Sequence, residues 1–317
     1  MQLVKGVVKL VRPAQWAKNI LVLAGLVFSQ SLGNAVYVGR AALALAIFCL
    51  LSASGYALND LWDLEQDRRH PEKCKRPLPS GMIPPWVAVV VCIVTLVVGL
   101  GLALWLGRPW EARPWPGELP APPPWLFFSL SLAYVALTFG YTVWLKHVVL
   151  LDLFAIAGCF VLRAAAGAAA LPVEMSSWLF GCTLLLALFL AAGRRRAEIQ
   201  LLKEDAVHHR RVIAEYTPKL LDQIIAIVTS ATLISYVLYT MWPATVQRFG
   251  TENLKYTVPF VLYGLFRYLY RIYRHEEGGQ PEATLFKDLP LIIDIVVYIL
   301  AVLAIIYVQR HTSIRLP

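Results

Sequence analysis

Apolar runs long enough to cross about 30 Å of hydrocarbon recur along the chain, separated by polar stretches. They fall near residues 19–33, 41–58, 84–106, 125–144, 148–171, 176–193, 220–242, 256–273 and 289–309. Backbone polar groups in lipid have to be satisfied within each segment, so runs of this length predict helices. The expected fold is an all-α polytopic membrane protein: nine transmembrane helices in one bundle, a single domain over residues 1–317, led by an interfacial helix. That leading segment is Met1–Lys18, long and basic, and it reads as amphipathic. The first apolar run has no small-residue cleavage pattern and reads as a retained span, not a signal peptide. Small residues across Ala164–Ala170 allow neighbouring helices to approach closely.

Composition supports this pattern. Of 317 residues, 58% are hydrophobic and 15% charged, where a water-soluble domain carries about a quarter charged residues. The mean hydropathy is +0.61. Soluble folds, secreted disulfide scaffolds, disordered tails and collagen-like repeats are excluded together. The net charge of +9 does not call for nucleic acid, because the basic residues sit between apolar runs and mark topology. Most of the 29 Lys and Arg residues lie on the side of the N-terminus. They lie in the leading segment, the 59–83 loop, Lys146, the 194–219 loop and the Arg267–Lys287 region. The expected topology is a multi-pass protein of the plasma membrane, with the N-terminus cytoplasmic and the C-terminus outside. The Pro- and Trp-rich stretch 107–124 then lands outside as a stiff loop, since it cannot be regular helix. Four cysteines (Cys49, Cys92, Cys159, Cys182) lie in apolar runs and Cys74 lies in a polar loop; without a C-x-x-C or Cys/His cluster they read as free thiols.

Candidate chemistry concentrates where the second run meets the cytoplasm, in Asn59-Asp60-Leu61-Trp62-Asp63-Leu64-Glu65-Gln66-Asp67-Arg68-Arg69. Asp60, Asp63 and Asp67 follow i, i+3, i+7 spacing, which predicts three carboxylates on one helix face. Like charges this close repel unless a cation sits among them, and hard oxygens suit Mg²⁺ shared with substrate phosphates. A solvated acidic helix end, salt-bridged to Arg68, Arg69 and Lys73, is the plainer alternative. Placement at the mouth of a polytopic bundle favours a metal–diphosphate site.

This N-D-x-x-D-x-x-x-D segment, followed by Lys75-Arg76-Pro77-Leu78-Pro79-Ser80-Gly81, resembles the first aspartate motif of the UbiA superfamily of intramembrane transferases. Arg12-Pro13-x-Gln15-Trp16-x-Lys18-Asn19 resembles the family's N-terminal segment, and Tyr141-x-x-x-x-Lys146 its tyrosine/lysine region. The resemblance covers nearly the whole chain. It implies a nine-helix UbiA-type bundle that binds a diphosphate substrate through Mg²⁺, in a cavity open to the cytoplasm and the bilayer.

Members that join an isoprenyl diphosphate to an aromatic ring carry a second aspartate-rich motif after the sixth span. Here that stretch reads Ala192-Gly193-Arg194-Arg195-Arg196-Ala197-Glu198, with arginines where carboxylates are expected. A carboxylate pair recruits phosphate through a cation, whereas arginines bind it directly and often bidentately. Positive-inside anchoring is the alternative for these three. Gly193-Arg194-Arg195-x-Ala197-Glu198 resembles the branch of decaprenyl-phosphate phosphoribosyltransferases. So do Leu162-Arg163-Ala164-x-Ala166-Gly167, the Thr257–Tyr268 stretch, Gly279-x-Pro281-Glu282 and Asp288. That branch moves 5-phosphoribose from phosphoribosyl pyrophosphate (PRPP) to a polyprenyl phosphate, supplying an arabinose donor for cell-wall glycans.

The resemblance implies the following roles. Asp60, Asp63 and Asp67 would hold Mg²⁺ on the pyrophosphate, with Asn59 orienting the first aspartate or reaching the ribose. Lys18 and Lys146 would add positive charge, while Gln15, Asn19, Arg68 and Arg76 line the same region. Arg194 and Arg195 would hold a phosphate, and Glu198 would fix an arginine or bind a ribose hydroxyl. Tyr141 is a pyrophosphate contact or an interfacial anchor. Arg163, inside a span, faces a cavity or a partner helix, and Asp152 on the same helix is a further candidate. Arg267 is a site residue or snorkels to the interface. His208 and His209 read as solvated. The acceptor is an ionised phosphate, so no strong base is needed. Prenyl transfer to a small aromatic acceptor is the competing chemistry, and a non-catalytic transporter or scaffold the competing class. Oligomeric state is left open.

Overall fold

Residues 2–30, 32–69, 73–108, 123, 125–171, 175–202, 215–275 and 288–313 are described by the computed structural model, and every regular element among them is helical. They group into two compact units, Met1–Met175 and Ser176–Val207 with Ile213–Pro317. The first unit contains α1 (Gln2–Val11), α2 (Ala35–Trp62), α3 (Pro85–Leu106), α4 (Leu126–Val143) and α5 (Leu151–Ala169). The second contains α6 (Ser177–Leu202), α7 (Pro218–Met241), α8 (Val258–His275) and α9 (Leu289–Ser313).

Local chemistry sets several of these boundaries. Asn34 starts α2 by accepting the Val36 and Tyr37 amides on its Oδ1, at 3.0 and 3.4 Å, which satisfies donors left over at a helix N-terminus. Thr217 does the same for α7 through the Leu220 amide at 3.1 Å, with Pro218 at the first helical position. Pro85 likewise opens α3.

Seven helices among the described residues are long and apolar enough to cross a membrane: Ala35–Trp62, Pro85–Leu106, Leu126–Val143, Leu151–Ala169, Ser177–Ile199, Pro218–Met241 and Leu289–Tyr307. The outer stripe of α3, Val90, Ile93, Val94 and Val97, is exposed at i, i+3, i+4, i+7 spacing. A soluble helix would hide such a stripe; hydrocarbon solvates it at no cost. The chain is a multi-span integral membrane protein. Inside the first unit, Phe48 packs against Phe127 and Tyr134 at ring separations of 6.2 and 5.1 Å, in a core shared with Ile47, Leu51 and Ala166.

The structure departs from the sequence expectation at several points. The leading helix stops at Val11 and does not reach Lys18. Arg12 takes a left-handed conformation, φ 51°, just before Pro13, and because a residue preceding proline is disfavoured in the right-handed helical region the helix ends there. The first expected span, 19–33, is not one regular helix. Eleven residues of 3₁₀ turn, Pro13–Leu23, run into a five-residue helix, Ala24–Phe28. The eighth expected span is helical as α8, but Arg267, Arg271 and Arg274 keep it outside the seven apolar helices. Arg194–Arg196 lie within α6, not in a loop. The continuation to Leu202 is built of good helix formers and carries an Arg195–Glu198 pair at i, i+3. The stretch 109–122, His208, His209, Gly279, Pro281 and Glu282 lie outside the described residues.

Candidate active site

The acidic cluster is split over two helices. α2 ends at Trp62, Asp63 caps it, and a short helix Leu64–Arg69 follows. Asp60 therefore sits in the last turn of α2, Asp63 at the break and Asp67 in the short helix. The i→i−4 hydrogen bonds continue across the break, Asp63 N–H to the Asn59 carbonyl (3.0 Å) and Asp67 N–H to the Asp63 carbonyl (2.8 Å). Continuity of those bonds preserves the helical spacing, so all three side chains turn inward, only 1%, 5% and 3% exposed. This removes the solvated-helix-end alternative for the aspartates.

Each buried carboxylate meets a basic group of the first unit. Arg12 Nη2 donates to Asp60 Oδ1. Arg76 Nη1 reaches both Asp60 Oδ1, at 3.3 Å, and Asp67 Oδ2, at 2.6 Å. Lys146, 1% exposed, donates from Nζ to Asp63 Oδ1 at 2.5 Å. Arg12 also lies over the Tyr56 ring, 5.3 Å from its centroid. Burial of three carboxylates is tolerable only with this pairing. Arg12 belongs to the N-terminal Arg-Pro motif but is not among the expected site residues; its side chain reaches Asp60 because α1 packs on α2 and α3.

The donor set fits a hard divalent cation. Asp60 Oδ2 is buried and has no hydrogen-bond partner, an acceptor left over beside two further carboxylates. Among the described residues, no three His, Cys, Asp or Glu side chains converge as a ready-made metal cage. Each aspartate lies against a basic side chain, with Arg76 shared between Asp60 and Asp67. Mg²⁺ needs no such cage, since it usually takes one or two carboxylates plus substrate phosphates and water.

The other expected residues of this unit divide clearly. Lys18 Nζ donates to Gln15 Oε1 at 2.7 Å. Asp152, fully buried, lies in the first turn of α5. Asn59 and Tyr141 are half-buried in the last turns of α2 and α4. Arg68 turns to the surface, pairing with exposed Glu65 at 2.7 Å. Asn19 and Arg163 meet: Arg163 Nε donates to Asn19 Oδ1 at 2.8 Å.

In the second unit, Arg194 is exposed and Arg195 buried, with Arg195 Nη1 on Glu198 Oε2 at 2.6 Å. Arg196 donates to Asp222 Oδ1 at 2.8 Å, and Tyr273 donates to the same oxygen at 2.8 Å. Asp222 was missed by sequence reasoning; an acid four residues into an otherwise apolar span was the available signal. Arg267 grips Asp288 with two bonds, Nε to Oδ1 at 3.1 Å and Nη2 to Oδ2 at 3.0 Å. Burial pushes the Asp288 carboxyl up, but the Arg267 bonds, the Leu291 amide and the nearby Arg271 charge outweigh it and hold the group below the usual carboxylate range.

Comparison with known proteins bears on this arrangement. The model of the UbiA prenyltransferase family matches residues 19–287. The chain belongs to the UbiA prenyltransferase family. It is therefore a transferase. A decaprenyl-phosphate phosphoribosyltransferase of Mycolicibacterium smegmatis is 31% identical over 75% of this chain and 70% of its own length. One of Mycobacterium tuberculosis is 30% identical over 90% of this chain and 89% of its own. A UbiA homologue from Archaeoglobus fulgidus, solved with GPP and Mg²⁺, has a TM-score of 0.69 at 19% identity, covering 95% of this chain and 99% of that one. That last likeness concerns the fold.

Proposed function

We propose that this transferase moves 5-phosphoribose from PRPP to a polyprenyl phosphate, releasing pyrophosphate, with Mg²⁺ as its cofactor. The observation that carries the reading is the buried meeting of Asp60, Asp63 and Asp67 with Arg12, Arg76 and Lys146. Acids for a metal and cations for phosphates stand together, and no nucleophile–base pair is needed. The names of the relatives matched over most of the chain support PRPP and a prenyl phosphate as substrates. The neighbour solved with GPP and Mg²⁺ supports a divalent metal on a diphosphate.

Asp60, Asp63 and Asp67 would hold the metal, which supplies charge neutralisation and Lewis acidity at the departing pyrophosphate. Arg12, Arg76 and Lys146, which lie against those carboxylates, and Lys18 would supply positive charge to that leaving group. A phosphate oxygen of the acceptor bonds to ribose C1 as the C1–O bond to pyrophosphate breaks. The acceptor is already ionised, so the protein holds and orients it without removing a proton. Arg194 and Arg195 are assigned to a substrate phosphate, and Glu198 holds Arg195 in place. The same reading takes the chain as nine spans and one domain in the plasma membrane, N-terminus inside, with the acid cluster on the cytoplasmic side. The family match across both units supports the single domain.

The discriminating assay gives purified protein Mg²⁺ with PRPP plus polyprenyl phosphate, or with a prenyl diphosphate plus 4-hydroxybenzoate. Product from the first mixture, lost on chelation, is expected. Turnover of the second alone rejects the proposal in favour of prenyl transfer.

A further inference from the structure

Arg163 lies in the middle of α5, 4% exposed. Among the described residues no carboxylate pairs with it, in contrast to Arg12, Arg76 and Lys146 of the same unit. Its guanidinium is spread over neutral acceptors: Asn19 Oδ1 at 2.8 Å, the Tyr134 hydroxyl at 2.8 Å and the Cys159 carbonyl at 3.0 Å. It stacks on the Tyr134 ring, 4.7 Å from the centroid. Ser52 of α2 closes the knot, donating to Asn19 Oδ1 at 3.2 Å and lying 3.1 Å from the Tyr134 hydroxyl. Burying an arginine without a counter-ion is costly. The knot joins α2, α4 and α5 to the segment Pro13–Leu23.

That segment needs an external hold. It is an eleven-residue 3₁₀ run, and 3₁₀ hydrogen bonds are too poor to sustain more than about four residues alone. One turn beyond Arg163, Gly167 leaves room for the Val22 backbone: a Cβ there would stand 2.0 Å from the Val22 carbonyl oxygen. Asn19 and Val22 are thus docked on α5 at two points, one polar and one steric. From the docked end, the Lys18–Gln15 bond and the 2.9 Å bond from the Gln15 amide to the Arg12 carbonyl lead to Arg12, which meets Asp60.

We infer that Arg163 is a positioning residue: it touches no substrate, and through Asn19 it fixes the N-terminal segment so that Arg12 and Lys18 are placed for a diphosphate beside the acids. This rests on the metal–diphosphate reading of Asp60–Asp67.

The test titrates inorganic pyrophosphate with Mg²⁺ into full-length protein in detergent, and records melting temperature alongside. Arg163→Gln and Arg163→Lys are both expected to weaken pyrophosphate binding about tenfold, because a small misplacement of binding groups is expensive and a lysine cannot span three acceptors. Arg12→Gln is expected to weaken binding too, and adding Arg163→Gln to it to cost clearly less than the roughly tenfold seen alone, the remainder being the share of Lys18. Wild-type affinity in Arg163→Gln, whatever its melting temperature, overturns the inference. So do wild-type affinity in Arg163→Lys, no loss in Arg12→Gln, or losses that multiply in the double variant. Should Arg163→Gln fail to fold, Asn19→Leu removes the segment's half of the contact and carries the same expectations. Failure of the metal–diphosphate reading looks different: the wild-type protein itself then binds no Mg²⁺-pyrophosphate, and both conclusions fall.

Discussion

Lys146→Met isolates the energetics of the acid cluster. The ammonium lies 2.5 Å from Asp63 Oδ1, and both side chains are nearly inaccessible, at 1% and 6%. Methionine fills most of the lysine's volume, so the perturbation is chiefly electrostatic. Removing one partner of a buried pair costs about 3–5 kcal/mol, because the remaining charge loses its compensation in a poorly solvating site. At roughly 2–4 °C per kcal/mol for a unit of this size, the melting temperature should fall by about 6–20 °C. Neutralising Asp63 as well, in Lys146→Met/Asp63→Asn, should restore most of that loss, since no buried charge is then stranded. The assay is thermal unfolding of detergent-solubilised protein, without metal, for wild type, both single variants and the double variant. A melting temperature for Lys146→Met within a degree or two of wild type, or a double variant no more stable than Lys146→Met, would refute the argument that Asp63 depends on this pairing.

Gly167→Ala puts a methyl into the Val22 carbonyl, 2.0 Å away. Backbone cannot yield as a side chain can, so a loss of about 3 kcal/mol or more is expected, at the upper end for overpacking, read as a fall in melting temperature. Asp288 is held below its ordinary pKa, so its pairing with Arg267 stabilises the fold above the unfolded value of about 3.9 and is lost as pH falls through the lower folded value. The melting-temperature gap between wild type and Asp288→Asn should therefore close on acidification from pH 6 to pH 3; a constant gap would show that the carboxylate's charge contributes nothing. Arg194→Ala should raise KM for a phosphorylated substrate without lowering the melting temperature, since the side chain is exposed. Unchanged kinetics would leave Arg194 as a membrane-side anchor.

Much of the helical layout was legible because hydrophobic run length is a local property. Pro85–Leu106 and Leu126–Val143 differ from the expected spans by one residue at each affected end. The first expected span departs from a regular helix for an equally physical reason. Its composition suits a membrane helix, but Pro13 and the polar Lys18 and Asn19 weaken a regular start, and docking on α5 holds the segment in 3₁₀ form. The arginine run has the charge of a membrane-surface loop, but helix propensity and the Arg195–Glu198 pair carry α6 through it.

The candidate site shows the same division. Asp60, Asp63, Asp67, Arg76 and Lys146 were identifiable from motif and spacing, and they do come together. Arg12 was not, since nothing in an Arg-Pro pair says which carboxylate lies within reach. Nor does the sequence show that Asn19 and Arg163, 144 positions apart, meet one another.

The chain's own order of residues determined the solvent, the helices and the chemistry on offer, because these follow from run length, charge and side-chain type within a few turns. Only the tertiary structure decided which acid meets which base, that Arg163 is held by neutral groups, and that Gly167 admits the Val22 backbone. Most of those pairings join residues far apart in the chain, 48 positions for Arg12 and Asp60, 83 for Lys146 and Asp63 and 144 for Arg163 and Asn19, and burial in a medium that cannot solvate a lone charge is what makes them consequential.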